Sequence, residues 1–71
     1  MKLLQKVDGQ IVTLTQQVAC VEREIAMRQR CYPRWISGGT MTQAKADEEI
    51  RNMKAVRQTL EEIEEEGRFA Q

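Results

Sequence analysis

The chain has 71 residues with eleven basic and eleven acidic side chains, so it holds one small domain and carries no net charge. It has no histidine, one proline and four glycines. That composition removes the commonest general base and metal ligand, disfavours a generic polyanion binder, and is rich in helix formers. A core this small supplies roughly 3–5 kcal/mol at best, so such a chain usually needs a staple or a partner.

The opening residues Met1-Lys2-Leu3-Leu4 do not continue into a signal peptide, because Gln5, Lys6 and Asp8 interrupt the apolar run. The longest uncharged stretch, residues 9–21, is 13 residues long, and a membrane span needs about 20 mostly apolar ones. The sequence therefore reads as soluble and cytoplasmic, with no membrane partner.

Leu4, Val7, Ile11, Leu14, Val18, Val21 and Ile25 recur at spacings of three and four, and Arg28 and Tyr32 continue the seam. The pattern predicts a first helix over residues 2–32, with Gly9 on its opposite face at a cost of about 1 kcal/mol relative to Ala. Cys20 and Cys31 fall on that helix roughly 16 Å apart, too far for a disulfide, and read as small buried hydrophobes. Pro33 is expected to end the helix, since the residue before proline avoids the α region and proline donates no backbone bond.

Residues 33–41 then form the turn, with Gly38-Gly39 supplying a permissive backbone. Thr42 is the expected N-cap of a second helix over residues 42–66, followed by a frayed tail over residues 67–71. Ala46, Ile50, Met53, Val56, Leu60 and Ile63 make its apolar stripe. In an antiparallel hairpin facing residue numbers sum to a constant. Leu14 with Leu60, Val18 with Val56 and Val21 with Met53 all give 74. The expected fold is all-α: an antiparallel two-helix coiled-coil hairpin.

Helix 1 also carries Leu3, Val12, Ala19, Ala26, Met27 and Cys31, read as an adjoining apolar flank. An exposed stripe of this kind usually marks an interface. The expected remedy is a homodimer, two hairpins forming a four-helix bundle, with docking onto another protein as the alternative.

Catalysis is not expected. Glu61, Glu62, Glu64, Glu65 and Glu66 read as a solvated helix face, a di-metal bundle would want Glu-x-x-His motifs, and Ser37-Gly38-Gly39-Thr40 lacks the lysine of a phosphate loop. No cofactor or metal site is implied. The chemically unusual place is the tip, where Arg28, Arg30, Tyr32, Arg34, Trp35 and Ile36 cluster. Trp, Tyr and Arg are the residues most often found as binding hot spots. Tyr32 and Trp35 are alternatively read as caps on the end of the bundle. Arginines beside aromatics also suit phosphate contact and base stacking, a reading opposed by the zero net charge.

The segment Arg23-Glu24-Ile25-x-Met27-Arg28-x-Arg30-x-Tyr32-Pro33-Arg34-Trp35-Ile36, followed by Gly39, Met41, Thr42, Ala44-Lys45-Ala46 and Glu49-Ile50-x-x-Met53-x-Ala55-Val56, resembles a set of short bacteriophage and prophage accessory proteins. In that set a Tyr-Pro-Arg turn, a Gly-x-Met linker and a Glu-Ile-x-x-Met helix recur in this order. The match covers residues 22–60. Gly38-Gly39-Thr40 departs from the set, which often carries a basic residue after a single glycine. The resemblance implies a phage setting, with a host or phage protein as partner. The expected function is a non-enzymatic accessory protein that binds and modulates such a partner. The alternatives are a nucleic-acid-associated accessory of phage replication or recombination, and a self-assembling coiled coil.

Overall fold

The structure is a computed structural model that describes residues 4–69. Its elements are β1 (Leu4–Val7), β2 (Gln10–Thr13), α1 (Leu14–Ser37) and α2 (Gln43–Phe69). The all-α expectation is therefore corrected: a two-stranded antiparallel sheet precedes the two helices, and the fold is mixed.

The hairpin follows from Asp8-Gly9. Both residues take positive φ, 50° and 79°, as a type I′ turn demands, and Asp-Gly is among the pairs that tolerate it. The strands pair Leu4 with Thr13, Gln5 with Val12, Lys6 with Ile11 and Val7 with Gln10. Leu4 and Ile11 thus share one face of the ribbon, and Val7 and Val12 share the other. Helix 1 does not begin at residue 2, because Thr13 closes it. The Thr13 hydroxyl accepts from the Gln16 amide at 3.1 Å, and the Thr13 amide donates to the Gln16 side chain at 2.8 Å. This reciprocal capping box satisfies two amides that the first turn would otherwise leave unpaired.

Pro33 does not end α1, which continues one further turn to Ser37. Proline removes one donor, here the partner of the Gln29 carbonyl on an exposed stretch of helix, while the preceding Tyr32 is buried and held in helical geometry by its packing. The true stop is Gly39 at φ 80°. Its amide donates to the Ile36 carbonyl at 3.1 Å, and the Thr40 amide donates to the Trp35 carbonyl at 3.0 Å. These two bonds form a Schellman motif, which uses glycine because the left-handed position is strained for any side chain.

Thr42 caps α2 as expected, its hydroxyl accepting from the Lys45 amide at 3.1 Å. Gly67 lies inside α2, which runs on to Phe69, so the expected end at residue 66 is also corrected. Residues 70–71 of the expected tail lie outside the described residues.

The connection is residues 38–42 rather than 33–41, and the helix register moves with it. Thr15 donates to Glu64 across the pair, and Arg28 reaches Glu49, so facing numbers sum to 79 and 77 instead of 74. The half-buried positions of α2 pass from Ile50 and Met53 to Arg57, Leu60 and Glu64, leaving Val56 exposed. Ile11, expected opposite Ile63, is on β2 and 61% exposed.

The core is thin. Leu14, Ile25, Tyr32 and Ala46 are its buried hydrophobic residues. The described molecule measures 48 × 27 × 14 Å, a single layer of helices with the hairpin packed through β2 against the start of α1. Among the described residues no helix is long and apolar enough to cross a membrane.

Candidate functional site

The six residues expected at the tip lie on the last three turns of α1, but they do not act as one surface. Helical steps of about 100° per residue separate them into four directions. Tyr32 points into the pair and is buried. Arg30 and Arg34 lie on the outer side of α1 and are exposed. Ile36 is half-buried toward α2, and Trp35 stands exposed on the flank opposite Ile36.

Arg28 is partly exposed and engaged by three neighbours. Its Nε donates to Glu24 at 2.8 Å, one NH2 group donates to the Tyr32 hydroxyl at 3.3 Å, and the same nitrogen lies 3.5 Å from Glu49 on α2. The hydrogen bond to Glu24, aided by that to Tyr32, raises the guanidinium pKa further above its ordinary value. Glu49 also meets Lys45 at 3.2 Å, and this contact is the main cause that pushes the Lys45 amine up. The network links α2 to the last turns of α1. It also supplies the Tyr32 hydroxyl with a partner, which a largely buried phenol needs.

Tyr32 in turn positions Trp35. Their ring centroids are 5.5 Å apart with planes tilted by 42°, within the range of favourable aromatic pairing. Trp35 nevertheless remains 43% exposed. The arrangement is a large amphipathic side chain that pairs with a fixed ring and is partly open to solvent. Arg34, adjacent to it, has no ion pair in the structure's described contacts and presents its charge to solvent.

The residues expected to form a dimer flank also separate. Leu3 lies outside the described residues. Val12 is half-buried on β2, not on a helix. Ala19 and Ala26 sit on one side of the outer surface of α1, while Met27 and Cys31 sit roughly 110° away on the other. Met27 is 42% exposed and Cys31 half-buried; Cys20, read from sequence as buried, is exposed. Both cysteines are free thiols. Among the described residues no group of His, Cys, Asp and Glu converges to hold a metal ion.

The fold and tip together define a β-hairpin joined to an antiparallel helix pair that ends in a braced tryptophan beside exposed arginine. Comparison with protein-family models, with curated proteins and with solved structures finds no match to this chain.

Proposed function

We propose that this chain is a non-enzymatic accessory module that binds another protein through the tip of its helix pair, with Trp35 as the anchor and Arg34 as the flanking charge. The observation that supports this reading is the exposure of Trp35 beside a fixed ring: it pairs with the buried Tyr32 at 5.5 Å, planes tilted by 42°, and stays 43% exposed. Restraint before binding lowers the entropy lost on association, and covering the exposed part of the indole removes further apolar surface from water. The resemblance of residues 22–60 to bacteriophage accessory proteins supplies the setting, in which the partner is a host or phage protein and binding modulates it.

Affinity capture from nuclease-treated bacterial lysate tests the reading, with the wild-type chain and the Trp35→Ser variant as parallel baits. The expected result is a stoichiometric protein retained by the wild type and lost with Trp35→Ser, while the variant melts within a few degrees of the wild type. Retention of the partner by Trp35→Ser would remove the tip from the account. Material captured from a parallel untreated lysate but absent after nuclease, together with its loss on Arg30→Glu/Arg34→Glu substitution, would move the function to nucleic acid.

A further inference from the structure

A second surface lies on the face of the helix pair opposite Trp35 and the Arg28–Glu49 pair. A groove of about 700 Å³ opens there between the end of α1 and the start of α2. Tyr32 and Ala46 form its buried floor, Ile36 and Ile50 its half-buried walls, and Arg51 and Lys54 stand along its rim. At the other end of the rod, the β-hairpin presents Leu4 and Ile11 on one face of its ribbon, 42% and 61% exposed. The ribbon packs through β2 on the start of α1, which leaves this outward Leu4/Ile11 face uncovered.

The molecule is also too open for its mass. Its accessible surface is 5548 Å², whereas a compact 8.2 kDa monomer exposes about 4500 Å². The excess, about 1000 Å², is of the order of what one partner buries in a stable interface, about 800 Å². The two ends differ in sign. Residues 26–54, the stretch that holds the groove lining, carry six basic and three acidic side chains; the rest of the chain carries five basic and eight acidic ones.

We propose that the groove is occupied by the β-hairpin of a second copy of this chain, the two rods lying antiparallel so that each hairpin seats its Leu4/Ile11 face in the other's groove. The antiparallel arrangement sets the basic end of each rod on the acidic end of its partner. Because groove and hairpin sit at opposite ends of one chain, a two-fold axis makes the same contact twice and closes the assembly. A parallel pair would bring like-charged ends together and set each hairpin beside the other hairpin, away from the grooves.

Sedimentation equilibrium and methyl NMR on the whole chain test this. The wild type is expected at about twice its 8.2 kDa chain mass. Ile11 and Ile36 lie near opposite ends of a 48 Å rod, so a nuclear Overhauser contact between Ile11 methyls and those of Ile36 or Ile50 arises only between copies. Such contacts are expected in the dimer. Ile11→Glu, at an exposed position, should raise the dimer dissociation constant more than tenfold with the helical circular dichroism unchanged. A wild type that stays monomeric at high micromolar concentration, a dimer without those contacts, or a folded Ile11→Glu variant that dimerises like the wild type would each overturn the proposal.

Discussion

Arg28 reaches from α1 to Glu49 on α2 at 3.5 Å while its Nε is engaged by Glu24 at 2.8 Å, so one guanidinium joins a helix turn to the opposite helix. All three side chains are partly exposed, which keeps the expected energy of the cross-helix contact small, about 0.5 kcal/mol. A double-mutant cycle with Arg28→Met and Glu49→Gln should return a coupling of that order in denaturant unfolding, shrinking as salt is raised. A coupling of zero at low salt would mean that Arg28 acts through Glu24 and Tyr32 alone.

Lys45 extends the same network, and its contribution has a definite pH window. The hydrogen bond to Glu49 raises the amine above its ordinary 10.5, so the folded state holds the proton more tightly than the unfolded chain. The stabilisation is fully present below pH 10.5 and is lost as the pH climbs through the raised value. Melting curves of the wild type and Lys45→Met should therefore differ by a constant amount from neutrality to mildly alkaline pH and converge above it. Convergence on the acid side of 10.5 only would contradict the assignment.

Gly9 offers a test whose sign depends on the local fold. At φ 79° an added Cβ meets no neighbouring atom, so Gly9→Ala is penalised by backbone strain alone, by roughly 1 kcal/mol. In a continuous helix the same substitution would stabilise by about 1 kcal/mol. A lowered melting temperature, by several degrees for a domain of this size, is the expected result. An increase would place Gly9 in a helix.

These residues also explain what the sequence made legible. From Leu14 to Tyr32 the seam of threes and fours is long enough to be unambiguous, and Ala46, Ile50 and Met53 likewise mark the facing stripe of α2. The hairpin was signalled too, by Asp8-Gly9 and by the Thr13-x-x-Gln16 box. It is hidden because Leu4, Val7 and Ile11 happen to fall at helical spacing, and four-residue strands are too short for an alternating period to outweigh it. At the site, sequence proximity brings Arg28, Tyr32 and Trp35 together correctly but says nothing of direction. Helical steps put Arg28 and Trp35 on one side of the buried Tyr32, where Glu24 and Glu49 engage only the arginine, and divide Ala19 and Ala26 from Met27 and Cys31. The groove was not legible at all, since it exists only in the register that α1 adopts by running past Pro33.

Pro33 is therefore the residue on which the register turns, and its replacement separates two accounts of it. If proline terminated α1, Pro33→Ala would lengthen the helix and raise the helical circular dichroism. In the structure α1 already passes through Pro33 to the Gly39 stop, so the signal should stay within a few per cent of the wild type. Alanine restores the amide that the Gln29 carbonyl lacks and removes the ring's clash with the preceding turn, effects worth up to about 3 kcal/mol in a helix interior. Part of that is offset by the greater freedom of the unfolded chain, about 0.4–1 kcal/mol. Pro33→Ala should accordingly raise the melting temperature at constant helicity, and Gly39→Ala, which strains the φ 80° stop, should lower it. A gain in helicity on Pro33→Ala would restore the shorter helix and the register that sums to 74.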